Sequence, residues 1–273
     1  MLEILFALIA GIIQGITEFL PISSSGHLVI LHDYFGVDFI NNLAFDVILH
    51  LGTLVALVIF FAADIIKYLR AFFSSFLDWQ LKRDVNQRLA WYLFIGTWPA
   101  VAVGYFFQSQ IVYFFRQTIW VAIMLIVFGI ILYLADSLAA KSKNLDQLGW
   151  LGALAIGVAQ ALALIPGVSR SGITIITVLS QKLNRQAAAR FSFLLSIPVV
   201  FGTGLKEIYD LLNQPVFVWQ DWTTLFVGFV AAAGVGYFCI KYFLSFLQAH
   251  SLKVFAYYRI ILGIILLLLI YFS

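Results

Sequence analysis

A carboxylate, a histidine and a run of serines lie together in a stretch that is otherwise apolar. In GIIQGITEFLPISSSGHL (residues 11–28), fourteen positions hold Gln14, Glu18, Ser23, Ser24, Ser25, Gly26 and His27. Hydroxyls and the free amides of a helix start receive anions, and a carboxylate with an imidazole exchanges protons. A second cluster, Pro166-Gly167-Val168-Ser169-Arg170-Ser171-Gly172, sets an arginine between two serines ahead of another apolar run. The planar donor fork of a guanidinium suits phosphate oxygens. An ionisable group at bilayer depth costs ~2.5–3.5 kcal/mol even on insertion scales and is retained mostly where it works. These residues imply a phosphate-bearing guest in an intramembrane pocket. The acid–base groups beside it point to hydrolysis rather than binding alone.

Helix geometry brings these groups together. Gln14 and Glu18 are four apart and share a face with Gly11 and Gly15. Ser23–Gly26 read as the N-cap of a short helix, with His27 on its first turn. Glu18 has to be protonated, paired or metal-bound, and Arg170 in the facing loop is its expected partner. Asp46 is a second candidate acid, at the outer end of its span. Arg259, in AYYRIILG early in the last span, reads as snorkelling toward the cytoplasmic surface, with a substrate role as the alternative. Asp136 and Asp210, near span ends, read as headgroup or cap contacts. Cys239 lies in an apolar run as the only cysteine and reads as structural. Pro99 and Pro198 fall inside spans and are expected to kink them.

The elements that carry these groups belong to a membrane protein. Of 273 residues, 63% are hydrophobic and 11% charged, and the mean hydropathy is +1.02. Soluble domains have about a quarter of their residues charged. Seven Trp, twelve Tyr and twenty-seven Phe fit aromatic belts and lipid-facing surface. No signal peptide, soluble domain or nucleic-acid motif is expected. A spanning helix needs roughly 20 apolar residues. Residues 2–18 and 28–32 flank a polar break and read as a re-entrant helix–loop–helix, since irregular backbone at membrane depth has to be shielded. Spans follow at 43–66, 89–107 and 119–137, with a basic, aromatic loop at 67–88 that could lie on the membrane surface. The pattern then restarts: 149–165, the break 165–172, a short piece 173–181, and spans at 190–206, 223–243 and 254–272.

The two halves also match in letters. With a shift of 146, Gly11, Gln14, Ser23, Ser25, Gly26 and Ile30 meet Gly157, Gln160, Ser169, Ser171, Gly172 and Ile176. A re-entrant hairpin plus three spans ends on the opposite side, so the second half starts inverted. The expectation is an all-α polytopic protein, a single membrane domain with repeats over 1–140 and 147–273, its two broken helices meeting near the midplane. Twelve Lys and Arg fall on one side and two, Arg116 and Lys206, on the other, with Arg170 and Arg259 inside the membrane. The basic side is the cytoplasm by the positive-inside rule, which places both termini outside. Asp33, Asp38, Glu207, Asp210 and Asp221 then fall on the outer side.

QGITEFLPISSSGH (14–27) and PGVSRSG (166–172) resemble the two signature motifs of the undecaprenyl-diphosphate phosphatase family, the bacitracin-resistance proteins of bacterial membranes. The likeness extends to chain length, span number and motif spacing. It implies removal of one phosphate from undecaprenyl diphosphate, to recycle the lipid carrier of cell-wall synthesis at the outer face of the cytoplasmic membrane. By the same resemblance Glu18 is the essential carboxylate, Ser23, Ser24 and His27 are loop residues implicated in catalysis, and Ser169, Arg170 and Ser171 belong to the diphosphate-binding loop. The expected catalytic residues are Glu18, Ser24, His27 and Arg170, and the expected substrate-binding ones Gln14, Ser23, Ser25, Gly26, Gly167, Ser169, Arg170, Ser171, Gly172 and Thr174. His27, oriented by Glu18, is the nucleophile or general acid–base, with Ser24 as a competing nucleophile, and the sequence leaves the two open. A divalent cation, Mg or Ca, is expected at Glu18 with Gln14 as a weaker ligand, because Gln14 stands where relatives often carry an acid. No organic cofactor is implied. The expected partners are a polyprenyl diphosphate and membrane lipid, no nucleic acid, and a homodimer as an open arrangement. Two other classes compete: a polyprenyl-phosphate transporter or flippase, since inverted repeats with broken helices serve transport, and a lipid-phosphate sensor.

Overall fold

Long apolar segments become continuous helices here, and the polar breaks become joints between short ones. The computed structural model describes residues 2–35, 42–212 and 219–272. Asp38 lies outside the described residues, as do the side chains of Glu207, Asp210 and Asp221. The first half contains α1 (Leu2–Thr17), α2 (Ser24–Phe35), α3 (Asn42–Phe60), α4 (Ala62–Ser74), α5 (Val85–Phe115) and α6 (Thr118–Leu138). The second contains α7 (Trp150–Leu162), α8 (Arg170–Ser180), α9 (Arg185–Leu212), α10 (Trp219–Ala249) and α11 (Lys253–Phe272). Five of these helices are long and apolar enough to cross a bilayer, and α3 with α4 makes a sixth span if the bent pair counts as one. The chain is an all-α, multi-pass membrane protein in which each half opens with a short broken hairpin.

One expected span is shorter than its hydrophobicity suggests. The apolar run 43–66 stops as a straight helix at Phe60, and α4 leaves at 79°. Part of the expected loop 67–88 is therefore helix. The bend is held by charge and ring contacts between distant segments: Arg190 of α9 donates to Asp64, and its guanidinium lies 5.5 Å from the Phe61 ring centre. Periodicity gives no sign of the joint itself, because Phe60, Phe61, Ala62 and Ala63 are all apolar and the charges Asp64, Lys67 and Arg70 come only after it. Phe72 of α4 packs against Trp91 and Phe94 of α5, while Ile66, Leu69 and Phe73 remain exposed on the helix surface.

The repeat is visible in the packing. α1 lies along α10 and α7 lies along α5, so each half's first helix packs on a long span of the other half. The aligned glycines make both contacts. A Cβ on Gly11 would stand 2.4 Å from Gly228 O, and one on Gly157 would stand 2.4 Å from Gly96 O. Small residues let membrane helices approach backbone to backbone. The aligned serines that open α2 and α8 share an unusual backbone too: Ser23 has φ 73° and Ser169 φ 74°. Each accepts the amide three residues on, Gly26 N at 3.3 Å and Gly172 N at 3.1 Å. A left-handed non-glycine residue stores roughly 1–3 kcal/mol of strain, which the surroundings have to hold.

Charged residues tie the helix ends. Asp136 is not at a headgroup, as one of its two expected roles had it: it is 1% exposed, accepts from Arg185 at 2.6 and 3.0 Å, and takes Leu252 N at 3.2 Å ahead of α11. Burial between α6, α9 and α11 makes it the cap. At the opposite end Asp46 accepts from Arg116, and Thr118 donates to Asp33.

Gly157→Ala and Gly11→Ala should each destabilise by ~1–3 kcal/mol through overpacking. Gly234→Ala, where nothing lies within 4 Å of the added carbon, should leave the protein at least as stable. Thermal unfolding in detergent checks the contrast.

Candidate active site

The helix ends converge on one carboxylate. α1 stops at Thr17, and Glu18 continues its last turn through a 2.9 Å bond from its amide to Gln14 O. Its side chain is buried. Oε1 accepts from Arg170, the first residue of α8. Oε2 accepts from Ser24 Oγ at 2.5 Å and Gln14 Nε2 at 2.9 Å, and lies 3.4 Å from His50 Nε2. The expected Glu18–Arg170 partnership is therefore present, and Ser24 from one loop and Arg170 from the other meet on a single carboxylate. Arg170 also donates to Ser196 O of α9 at 3.4 Å.

His50 had no place in the sequence reading. It lies mid-way along α3 with Nδ1 2.7 Å from Asp46 O. A lone histidine inside an apolar span is the signal that could have found it. His27 sits elsewhere than expected. Its Nδ1 is 2.7 Å from Ser23 O, its Nε2 is 2.7 Å from Tyr258 Oη, and the two rings stack at 5°. A carbonyl only accepts, so Nδ1 carries the proton and, in the neutral ring, Nε2 accepts from Tyr258. His27 thus faces α11 and a groove of about 550 Å³ lined also by Thr17, Leu20 and Ile22. It is not oriented by Glu18, because the turn at Ser23 points Ser24 inward and leaves His27 on another face of α2.

The remaining expected ligands knit the loops together. Ser23 Oγ accepts Gly167 N at 3.1 Å, and Ser171 Oγ donates to Leu20 O at 2.9 Å, so each loop holds the other. Ser25 Oγ is 3.4 Å from Ser23 Oγ, and Ser169 Oγ is 3.2 Å from Ser171 Oγ. The Gly26 and Gly172 amides are taken up in the two serine caps. Thr174 is fully buried and links α8 to α9 through Ser192 Oγ at 2.5 Å. Asp46 does not join Glu18 as a second acid: its carboxylate holds His32 at 2.8 Å and Arg116 at 3.3 Å. Only its backbone reaches the site, through His50.

Arg259 overturns its reading as a snorkelling residue. It is 0% exposed and donates to Pro21 O at 3.1 Å, Gly167 O at 2.8 Å and Val168 O at 2.9 Å, with longer bonds to Met124 O and Leu125 O at 3.4 Å. Its direction is set by the packing of α11 on α6 beneath both loops, which no one-dimensional pattern contains. Cys239 donates to Ile16 O at 3.3 Å, a structural contact. With Glu18 balancing Arg170, Arg259 leaves this buried centre one positive charge in excess. A cavity of that sign favours an anionic guest.

Cation ligands are scarce. Among the described residues no three His, Cys, Asp or Glu side chains gather around a metal position. Gln14 Oε1 is buried and accepts no hydrogen bond, so one amide oxygen and a shared carboxylate are the available donors.

The family described as Bacitracin resistance protein BacA matches residues 7–265. The chain belongs to this family. The BacA-family chain is 41% identical to an undecaprenyl-diphosphatase of Geotalea daltonii over 273 residues, covering 100% of both chains. It is 41% identical to one of Rubrobacter xylanophilus over 96% of this chain and 97% of the relative, and 42% identical to one of Thermomicrobium roseum over 98% of each. Both sequence motifs of this BacA-family chain lie inside the matched region.

Glu18→Gln alone leaves Arg170 buried without its counter-charge and should cost ~3–5 kcal/mol. Adding Arg170→Gln should recover part of that loss. Unfolding midpoints of the two single variants and the double variant check the coupling.

Proposed function

We propose that this protein hydrolyses undecaprenyl diphosphate to undecaprenyl phosphate and inorganic phosphate, returning the lipid carrier to cell-wall synthesis and conferring bacitracin resistance. The observation that carries this reading is the meeting of Ser24, Glu18 and Arg170, drawn from both loops, in a buried centre of excess positive charge. The names of the relatives support the substrate. Phosphoryl transfer asks a protein mainly for positioning and charge stabilisation.

Arg170 is held by Glu18 before substrate arrives. A diphosphate offers the guanidinium oxygens of greater charge, so its binding draws Arg170 from Glu18 and frees the carboxylate as a base. Ser24 Oγ, already donating to Glu18, attacks the terminal phosphorus while Glu18 takes its proton. The bond from that phosphorus to the bridging oxygen breaks, and undecaprenyl phosphate leaves with the electron pair. Water then attacks the phosphoserine, Ser24 recovers its proton from Glu18, and inorganic phosphate departs. Arg170 offsets the charge that develops. This reading prefers Ser24 to His27 as nucleophile, because Ser24 touches the base and His27 does not. His27 instead steadies the turn at Ser23.

A divalent cation, Mg or Ca, suits this centre only as a companion of the diphosphate. Hard cations such as Mg often bind through one or two carboxylates plus substrate phosphates. Glu18 and Gln14 Oε1 are the residues that would receive one. Its chemistry would be charge neutralisation on the phosphate oxygens.

We place the protein in the bacterial cytoplasmic membrane with both termini and the site's opening on the outer side, from the twelve-to-two distribution of Lys and Arg. Residues 1–140 and 147–273 form one membrane domain in this reading. A flippase is the second reading, favoured by the mirrored contacts of Gly11 and Gly157. Phosphate release by purified protein separates the two.

Ser24→Ala and Glu18→Gln should lower kcat by ~10²–10⁴-fold for release of phosphate from undecaprenyl diphosphate in detergent. Arg170→Lys should lose ~10²-fold or more, because an ammonium lacks the fork. Near-native turnover by Ser24→Ala would remove it as nucleophile. Chelation by EDTA should suppress release and Mg or Ca restore it, with the cation requirement rising as substrate is raised. A requirement independent of substrate concentration would point to a resident ion instead.

A further inference from the structure

Arg259 is an arginine with no access to solvent and, among the described residues, no carboxylate at ion-pair distance. A guanidinium buried without a counter-ion is destabilising by itself, so a chain that keeps one gains something from its reach or its charge. The reach is unusual. One planar group bonds loop one at Pro21 O, loop two at Gly167 O and Val168 O, and α6 at Met124 O and Leu125 O. Pro21 stands three residues after Glu18 and three before Ser24, and Val168 immediately precedes the strained Ser169 and then Arg170. Gly167 is held from both sides, its carbonyl by Arg259 and its amide by Ser23 Oγ. The main chain on either side of the reacting groups is thereby tied to a single rigid donor.

We propose that Arg259 is a positioning residue for phosphate transfer: it fixes the distance between the two loops, so that Ser24 and Arg170 address the same phosphate, and its unneutralised charge lies behind the site as a standing attraction for the diphosphate. The inference rests on the hydrolase reading above. It assigns the two effects to different properties of the side chain. Loop spacing needs the planar fork. Attraction needs only the positive charge.

The test uses full-length protein in detergent, with kcat and KM for farnesyl diphosphate expressed per folded molecule from monodisperse elution. Arg259→Lys keeps the charge and loses the span, so kcat should fall ~10²-fold while KM stays within about threefold of the unaltered protein. Arg259→Gln loses both, so KM should also rise about tenfold or more. A purely structural role would lower the folded fraction and leave both constants per folded molecule unchanged. Combined with Arg170→Lys, the further loss in kcat from Arg259→Lys should shrink below about tenfold, since both changes act through one loop. Full multiplication of the two losses would overturn the proposal, as would native kcat in either single variant or restoration of both constants by lysine.

If substitution of Arg259 prevents folding, Gly172→Ala decides. Its added carbon would stand 3.0 Å from Arg259 Nη1 and 3.1 Å from Ser169 Cβ and Oγ, so it presses on the guanidinium without removing it, and Ser169→Ala gives the effect of loosening that cap alone. A fall in kcat of about tenfold with KM little changed supports the proposal, and native kcat overturns it. Should the unaltered protein release no phosphate, the hydrolase reading fails while the clamp is still judged by binding. Arg259→Gln should then weaken farnesyl diphosphate binding about tenfold, and undiminished binding would refute it.

Discussion

The carboxylate of Glu18 has no bulk water to ionise into, and its solvation has to come from the protein. Three donors supply it, Gln14 on its own helix, Ser24 at the start of α2 and Arg170 at the start of α8, with His50 Nε2 of α3 3.4 Å away. No single segment could furnish that set. The charge becomes tolerable only when both halves have closed around it, so folding and assembly of the site are one event. Close packing at small residues holds the helices together, and this carboxylate specifies how the two loops must meet.

The loops meet through a device used twice. Ser23 and Ser169 occupy the same strained backbone region, and each caps its helix three residues on. The strain is held because each loop grips the other, Gly167 on Ser23 and Ser171 on Leu20. Most of the serines and glycines that look like anion ligands are consumed by this stitching. What remains for chemistry is asymmetric: one half brings a carboxylate and a hydroxyl, the other a guanidinium. The glycine contacts of α1 on α10 and α7 on α5 give the two loops a rigid base from which to converge.

Much of this was readable in one dimension, and the exceptions share a cause. The broken helices, the six spans and the pairing of Glu18 with Arg170 follow from hydrophobic length, helix-breaking residues and the intolerance of a bilayer for lone charges. The bend at Phe61 was hidden because the residues at the joint, Phe60 to Ala63, are all apolar and none is a helix breaker. His50 was passed over because its neighbours in sequence are ordinary span residues, and its meaning lies in a contact with a helix thirty residues away. Asp46 was credited as a second acid, but its carboxylate holds His32 and Arg116 and only its backbone carbonyl meets His50. His27 was given a partner that its own helix turns it away from.

Arg259 marks the boundary most sharply. Composition, the duplicated Q…S-x-S-G frame and the single Arg between two serines were enough to establish a polytopic membrane protein with two polar elbows facing each other. Those features depend on local chain chemistry and on energies of transfer into lipid, which act residue by residue. Which way a side chain points is a different kind of quantity. An arginine near the end of a span can reach for water or for buried carbonyls, and the two choices have the same sequence. Only the packing of α11 on α6 beneath both loops closed the route to water and put five carbonyl oxygens within reach. The tertiary structure decided that arginine's role because its surroundings are built from segments more than ninety residues away in the chain.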